Sequence, residues 1–202
     1  ADYVLVNPLH AAEPMTPLEP SPYLPTHRRF VNPIYLRPER IAEYARLSPS
    51  ERDALRELKE ALGKDREGAE LIDRNRVWDA KLAALRIVFD AGRSAVRQMS
   101  MDDFRRREGR SLDNFAIWSV LARTFGMNWR AWPEVYQRPS SPEGAKFADE
   151  NAEEIAFFEW LQGIAASQLS PAQRAARGAD TSSGVMGDLA VGGSKEAAEA
   201  WI

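Results

Sequence analysis

The sequence predicts a mostly helical chain with two short parallel strands, an incomplete segment of a parallel α/β barrel. Two observations predict the strands. The runs Tyr3-Val-Leu-Val6 and Gly184-Val-Met-Gly-Asp-Leu189 are short and apolar, and each is followed by polar or aromatic residues. The third observation is that almost everything between them has helical patterning. In such barrels the side chains at the carboxyl ends of the strands form the site, so we expect a binding site where these two buried strands end.

The composition argues against several classes of protein. With 27 cations, 30 anions and a net charge of −3, the chain of 202 residues has no basic surface for nucleic acid. It has no cysteine, so neither a disulfide framework nor a thiolate metal site is expected, and a reducing cytoplasm is the expected location. No apolar run approaches the ~20 residues that cross a bilayer, so no membrane partner is expected.

Residues 1–38 are predicted to form the first strand and a long proline-rich loop. They hold most of the 13 prolines and both histidines, and proline blocks regular helix. Long ordered loops that follow buried strands often carry function. The aromatic residues Tyr23, Phe30 and Tyr35 favour an ordered loop over the alternative, a solvated proline-rich linker or peptide-recognition segment.

Residues 39–140 are predicted to be helical. Ser48-Pro-Ser-Glu51 is a capping box with proline at the first helical position, which begins a helix with leucines on one face. The predicted helices run from Ser48 to Gly63, over about 75–97, onward from Ser100, and from Ser111 to Gly126. Trp129 and Trp132 then lie in a turn, where a hydrophobic plug is favoured and stacking on a sugar ring is the alternative.

Residues 141–202 are predicted to hold a long helix, the second strand and the start of another helix. Ser141-Pro142 begins the helical stretch, which strengthens over 151–169. Its inward-facing residues are Ile155, Phe158, Leu161, Ile164 and Ala165. After the strand, Ser194 is predicted to cap a final helix.

Asp188 is the strongest candidate for a functional side chain. A carboxylate within an apolar run is costly to bury without partners, so it is expected to face a cavity. The alternative is a structural aspartate that binds the amides of the Gly192-Gly193 turn. Tyr23 lies between prolines that stiffen its loop, which suits an aromatic platform for a sugar. His10 is a candidate hydrogen-bond donor at the end of its strand, and a purely structural histidine is the alternative. No metal-ligand spacing, phosphate loop or dinucleotide motif occurs, so neither metal nor cofactor is expected.

Six stretches carry a resemblance to one enzyme family. They are Leu5-Val-Asn-Pro-Leu-His-Ala11, Ser21-Pro-Tyr23, Arg28-Arg-Phe-Val-Asn-Pro-Ile-Tyr35, Trp132-Pro133, Phe157-Phe-Glu-Trp-Leu-Gln162, and Gly187-Asp-Leu-Ala-Val-Gly192 with Trp201 beyond. In their order and rough spacing the chain resembles the 4-alpha-glucanotransferase family, also called amylomaltase or disproportionating enzyme, and its bacterial long-form members above all. The resemblance runs along nearly the whole chain.

The resemblance implies a (β/α)8 barrel with helical insertions that acts on α-1,4-glucans by a retaining double displacement, without a cofactor. Residues 3–6 then resemble the second barrel strand and 184–189 the third. Residues 1–38 correspond to a barrel strand and a proline-rich substrate loop, and 39–140 to a helical insertion. Residues 141–202 correspond to the crossover helix, the next barrel strand and the start of the helix after it.

The same resemblance implies roles for four residues. Tyr23 resembles the tyrosine that stacks on the sugar at the cleaved bond, and Asp188 resembles the aspartate that hydrogen-bonds that sugar. Ser21 and His10 are further candidate substrate-binding residues, with malto-oligosaccharides or α-glucan as the partner.

No catalytic residue is expected in this chain. The family's nucleophile lies in an Arg-x-Asp-His motif, its acid/base in Glu-Asp-Leu-Gly and a third carboxylate in Thr-His-Asp, and none of these occurs here. We therefore expect a fragment of a longer enzyme that is inactive alone. A stand-alone helical interaction module, with the proline-rich start as a docking arm, and a non-catalytic glucan-binding module are the alternatives.

Overall fold

The structure is a computed structural model that describes residues 2–66, 71–179 and 182–202, and within these residues the chain is mostly helical, as predicted. Short 3-10 turns link the longer elements. In chain order the strands and α-helices are β1 Tyr3–Val6, β2 His10–Ala11, β3 His27–Val31, α1 Pro49–Arg66, α2 Arg74–Asp90, α3 Ala95–Glu108, α4 Arg110–Phe125, α5 Pro142–Glu150, α6 Ala152–Gly178, β4 Gly184–Gly187 and α7 Ala198–Trp201. None of the helices in the described ranges is long and apolar enough to cross a membrane.

The two strands predicted from the sequence pair with each other in parallel. Tyr3 lies opposite Gly184 and Val6 lies opposite Gly187. The amide of Asp188 continues the ladder by donating to the carbonyl of Val6 at 2.9 Å. The predicted parallel pairing is therefore confirmed, although β4 ends at Gly187 rather than at residue 189.

The prediction that these strands are buried is wrong for the described part of the chain. The side chains of β1 are exposed, with 48% of Tyr3, 49% of Val4 and 58% of Leu5 accessible, and Met186 of β4 is 44% exposed. The reason is that, among the described residues, β1 and β4 form a sheet of only two strands, and no neighbouring layer covers these side chains. Gln173 of α6 binds β4 on one side, where it accepts from the Val185 amide at 2.7 Å.

A second small sheet was not predicted. β2 and β3 pair antiparallel, with His10 opposite Val31 and Ala11 opposite His27. The hydroxyl of Thr26 donates to the carbonyls of Ala11 and Ala12 at 3.1 and 3.0 Å. These bonds close the base of the proline-rich loop, residues 12–26. The prolines of this loop lie between β2 and β3 rather than within them, so they do not interrupt the strand pairing.

The core forms mainly where α4 and α6 pack together. All five residues predicted to face inward on α6 are buried, which confirms the helical period of that segment. On α4, Phe115, Trp118, Leu121 and Ala122 are buried, while Phe125 is 40% exposed at the last turn. Aromatic rings extend this core, where Phe89 of α2 meets Trp160 of α6 edge-on with centroids 5.4 Å apart.

The long helix predicted over 75–97 is two helices. Gly92 adopts a left-handed φ of +72°, which ends α2 one residue beyond its cap. Ser94 then caps α3 by accepting from the amide of Arg97. Ser100 consequently lies inside α3, so the predicted helix start at that residue is wrong.

Three other predicted boundaries shift. α1 continues through Gly63 to Arg66, because a glycine inside a helix costs only about 1 kcal/mol and does not by itself end it. Ser111 lies inside α4, since Gly109, with a φ of +59°, already separates α3 from α4. Ser194 does not cap a helix, because α7 begins only at Ala198.

Trp132 serves as the predicted hydrophobic plug. It is only 2% exposed. Its indole N–H donates to the carbonyl of Gly126 at 2.7 Å. Its ring meets that of Trp201 edge-on with centroids 6.0 Å apart. Trp132 therefore ties the end of α4 to α7.

A buried ion pair joins the 3-10 turn Ala42–Arg46 to α3. The Glu43 side chain is 1% exposed, and its two carboxylate oxygens accept from the Arg97 guanidinium at 3.2 and 3.5 Å. A buried carboxylate without its cation carries a large desolvation penalty. The pair therefore holds this turn against α3.

Replacing Arg97 with alanine is expected to destabilise the fold by about 3 kcal/mol, because the buried Glu43 carboxylate loses the guanidinium that hydrogen-bonds it and keeps only the longer-range charge of Arg93. The measurement is urea unfolding. Arg106→Ala on the same helix is the matched control, since its partner Asp103 is exposed, and a change within about 0.5 kcal/mol is expected there. Equal losses in the two variants would contradict a structural role for the buried pair.

Candidate functional site

Two residues far apart in the sequence meet beyond the strand ends. The Tyr23 hydroxyl donates to the Asp188 carboxylate, Oη to Oδ2, at 2.7 Å. Asp188 directly follows β4, and Tyr23 lies on the proline-rich loop that follows β1 and β2. The two residues therefore open onto the same side, beyond the strand ends where the sequence predicted a binding site.

The Asp188 carboxylate is held at the carboxyl end of the parallel pair. Its Oδ1 atom accepts from the amide of Leu189 at 2.9 Å. The alternative interpretation had Asp188 binding the amides of Gly192 and Gly193, and in the described residues neither amide donates to it. Each carboxylate oxygen thus has one protein partner and keeps acceptor capacity for another donor.

Ser21 fixes the backbone beneath Tyr23. Its Oγ atom accepts from the amide of Tyr23 at 3.2 Å, and its carbonyl accepts from the amide of Leu24 at 3.3 Å. Because the Ser21 hydroxyl acts as the acceptor in this bond, its own proton stays available for donation to another group. The Tyr23 side chain stays 42% exposed, so its ring can contact a ligand.

The contact with Asp188 changes the titration of Tyr23. The hydrogen bond to the carboxylate raises the pKa of the Tyr23 phenol above its ordinary value, and desolvation and the charge of Asp188 act in the same direction. The phenol therefore stays protonated and remains a hydrogen-bond donor at neutral pH.

Gly192 lets the segment after β4 approach the Tyr23 loop. A Cβ atom at this position would lie 3.1 Å from Leu24 Cδ2 and 3.2 Å from the Tyr23 carbonyl oxygen. Both distances are tighter than ordinary contacts, so a side chain here would push the two segments apart. The Gly192-Gly193 pair was noted in the sequence as a turn, but its role as a spacer against Tyr23 was not predicted.

Trp129 and Arg130 anchor the same segment from another direction. The Trp129 indole N–H donates to the Lys195 carbonyl at 3.1 Å, and Arg130 donates to the same oxygen while its guanidinium lies 4.2 Å from the Trp129 ring centroid. The sequence favoured a hydrophobic plug for Trp129 over a sugar platform, and the ring is partly buried against the core. The structure gives it a third role, because its polar edge binds backbone.

The amino-terminal end of α2 anchors the proline-rich loop. The Asn75 side chain accepts from the amide of Leu18 at 2.8 Å, and Arg74 donates to the carbonyl of Pro20 at 2.6 Å. The sequence gave no signal for these residues beyond their position at a helix start. Their bonds favour the interpretation of residues 12–26 as an ordered loop rather than a linker.

His10 lies apart from the Tyr23–Asp188 pair. It belongs to β2, is half-buried, and lines a small cavity together with Ser21. Its Nε2 atom has no hydrogen-bond partner among the described residues. The structure therefore brings three of the four predicted site residues together directly, and His10 shares only the small cavity with Ser21.

This arrangement suits binding rather than bond cleavage. An exposed ring and a carboxylate with spare acceptor capacity can hold a neutral, hydroxyl-rich ligand. In the described ranges, no second carboxylate contacts Asp188, and no group of three or more His, Cys, Asp and Glu residues could hold a metal ion.

Comparison with known proteins identifies the family. The sequence model of the 4-alpha-glucanotransferase family matches residues 1–202, which is the whole chain. The chain belongs to the 4-alpha-glucanotransferase family. The family resemblance found in the motifs is thereby confirmed.

Curated 4-alpha-glucanotransferases agree with this assignment. The chain is 45% identical over 207 residues to the enzyme of Mycobacterium tuberculosis and 28% identical over 216 residues to that of Haemophilus influenzae. Each alignment covers 100% of this chain but only 28% and 31% of the relatives. The chain therefore spans somewhat over a quarter of the length of the 4-alpha-glucanotransferases that it matches.

Solved amylomaltase structures share the fold. The amylomaltase of Corynebacterium glutamicum superposes with a TM-score of 0.79 and 39% identity, covering 99% of this chain and 26% of that one. The amylomaltase of Streptococcus agalactiae, solved in complex with acarbose, superposes with a TM-score of 0.75 and 15% identity, covering 99% of this chain and 38% of that one.

Removing the Asp188 carboxylate is expected to lower the pKa of the Tyr23 phenol toward its ordinary value, because the hydrogen bond that raises it is lost. The measurement is an NMR pH titration of ring-labelled tyrosine in Asp188→Ala, with Tyr23→Phe used to assign the signal. An unchanged Tyr23 titration in Asp188→Ala would show that the two side chains do not interact in solution.

Proposed function

We propose that this chain is one segment of a 4-alpha-glucanotransferase and forms part of the surface that holds the glucan at the cleaved bond. In this proposal the Tyr23 ring stacks on a glucose unit and Asp188 accepts hydrogen bonds from its hydroxyls. The observation that carries the proposal is the bond between Tyr23 and Asp188 at 2.7 Å, beyond the ends of two parallel strands.

The chemistry of a glucan suits these side chains. A glucose ring is neutral, with apolar faces and a rim of hydroxyl groups, so an exposed aromatic ring can cover a face while a carboxylate accepts from the rim. Hydrogen bonds to an ionised acceptor are roughly twice as strong as neutral ones. Because Tyr23 and the Leu189 amide orient the carboxylate before the sugar arrives, little reorganisation is needed on binding.

Ser21 and His10 support this surface from behind. Ser21 positions the Tyr23 backbone through its Oγ atom. His10, with an unpartnered Nε2 atom in the described part of the chain, is assigned as a hydrogen-bonding residue next to Ser21. We assign both to substrate binding and neither to bond cleavage.

We further propose that β1 and β4 are the second and third strands of a (β/α)8 barrel whose other strands lie in the rest of the enzyme. The exposed apolar side chains of Val4, Leu5 and Met186 support this, because such strands are stable when further strands and helices cover them. Residues 1–38 supply a strand and the substrate loop, 39–140 a helical insertion, and 141–202 the crossover helix, a strand and the next helix.

The proposed reaction is the transfer of an α-1,4-glucan segment between malto-oligosaccharides with retained configuration. Retention requires a nucleophilic carboxylate and a general acid about 5–5.5 Å apart. The nucleophile attacks the anomeric carbon while the acid protonates the leaving oxygen. An acceptor hydroxyl then displaces the nucleophile and gives its proton to the same acid/base carboxylate. We assign both carboxyl groups to parts of the enzyme outside these 202 residues. A cytoplasmic location fits a cysteine-free chain.

The alternative of a stand-alone interaction or glucan-binding module is less well supported. In a stand-alone module the apolar side chains of Val4, Leu5 and Met186 would face water. The matched relatives are also more than three times as long as this chain.

Asp188→Asn in the whole enzyme is expected to lower kcat on the order of 100-fold, with a smaller effect on KM. The substitution removes a charged acceptor whose hydrogen bonds to the sugar are stronger in the transition state than in the ground state. Glucose release from maltotriose is the measurement. Asp149→Asn, an exposed residue on α5, is the matched control and should leave activity unchanged. If folded Asp188→Asn keeps turnover within about twofold of wild type, Asp188 is a structural residue and the site assignment is wrong.

Tyr23→Ala is expected to reduce kcat/KM more than Tyr23→Phe does, because phenylalanine keeps the ring that covers the sugar face. The same maltotriose assay measures both variants. A Tyr23→Phe loss as large as that of Tyr23→Ala would show that the ring face contributes nothing and that only the hydroxyl matters.

The isolated 202-residue chain is expected to release no glucose from maltotriose, because it lacks the nucleophile and acid/base motifs. The assay uses homogeneous chain with the whole enzyme as positive control. Turnover that copurifies with the folded chain would refute the assignment of both catalytic carboxyls to other parts of the enzyme.

A further inference from the structure

A second concave surface lies between α1 and α2, and it shares no residue with the Tyr23–Asp188 site. This groove has a volume of about 650 Å³, which is within the range of small-molecule sites. Its floor is aliphatic, with Leu55, Leu58 and Leu62 of α1 facing Ala80 and Ala84 of α2. The first and last of the three leucines are seven residues apart on the helix, a length of about 10 Å, so the floor is elongated rather than round.

The rim of the groove carries an excess of positive charge. Among the residues that the structure describes, the charged ones that line it are Arg37, Glu39, Arg52, Arg56, Lys59 and Lys81, which are five cations and one anion. Two of the cations are already neutralised, because Arg37 binds Glu39 and Arg56 binds Asp53. Within the described residues, Arg52, Lys59 and Lys81 have no carboxylate within ion-pair distance.

Lys81 is the partly buried cation of the rim, and a bound anion would offset its loss of hydration. Its ammonium group is half-buried and donates to the Leu36 carbonyl at 2.6 Å, which uses one of its three donors. Burial lowers the pKa of Lys81, with Arg37 acting in the same direction and Glu39 against it. Arg52 donates to the Ala45 carbonyl at 3.2 Å, and its guanidinium lies 6.0 Å from the Tyr44 ring centroid. Both residues keep free N–H donors.

We propose that this groove binds an organic phosphate whose body is a single alkyl chain. The elongated aliphatic floor takes the chain, and the phosphate binds the three unpaired cations of the rim, Arg52, Lys59 and Lys81. A phosphate dianion matches this charge better than a carboxylate, and a guanidinium offers it paired donors. The proposal concerns a site separate from glucan transfer, so it can fail without affecting the proposed function.

Calorimetric titration of the whole enzyme with monomeric decyl phosphate tests this proposal. Inorganic phosphate and decanol are the comparison ligands, because the first has the anion without the alkyl chain and the second has the chain without the anion. Decyl phosphate is expected to bind at least about tenfold more tightly than either, and more weakly as ionic strength rises. Equal binding of decanol or of inorganic phosphate, or no binding of decyl phosphate, would overturn it. Tighter binding of adenosine monophosphate would also overturn it.

Two variants locate the site. Lys81→Met is expected to weaken decyl phosphate binding at least about tenfold. Arg52→Met is expected to weaken it several-fold, and because Arg52 is exposed, this substitution should leave the fold intact. Lys146→Met on α5 is the matched control, since Lys146 is exposed and distant in sequence, and it should leave binding unchanged. Binding that survives both Lys81→Met and Arg52→Met in folded enzyme would refute the assignment to this groove.

Discussion

The parallel pairing of β1 with β4 is the constraint on which the rest of the structure depends. It joins residues near the two ends of the chain, with Tyr3 opposite Gly184 and Val6 opposite Gly187. Parallel strands need a long connection, and here the helical core supplies it. Because the ladder continues to the amide of Asp188, the position of that carboxylate follows from backbone hydrogen bonds rather than from loop packing.

The loops that carry the other site groups are held by side chains from the helical core. Arg74 and Asn75 of α2 hold the proline-rich loop, and Trp129 and Arg130 hold the segment that contains Gly192. In each case a helical region donates or accepts at loop backbone. The helical part of the chain therefore determines where Tyr23 meets Asp188, although it contributes no side chain to that contact.

Sequence patterns predicted the features that are encoded locally, which are the buried faces of helices and the positions of the paired strands β1 and β4. The inward face of α6 followed from the 3.6-residue period, and the paired strands followed from two short apolar runs. The break at Gly92 is marked in the sequence only by that glycine and by Ser94, which the helical period by itself does not reveal. The β2–β3 pair was missed because β2 has only two residues and β3, His-Arg-Arg-Phe-Val, contains no apolar run. The anchor from Trp129 to Lys195 leaves no local signal, since 66 residues separate the two.

The central claim is that Tyr23 and Asp188 act as one unit on the substrate, and a double-mutant cycle on kcat/KM in the whole enzyme tests it most directly. The cycle compares Tyr23→Phe, Asp188→Ala and the double variant with wild type. If the phenol acts by orienting the carboxylate, the double variant loses no more activity than Asp188→Ala alone. Losses that multiply would show that the two side chains contribute independently, which would contradict the account.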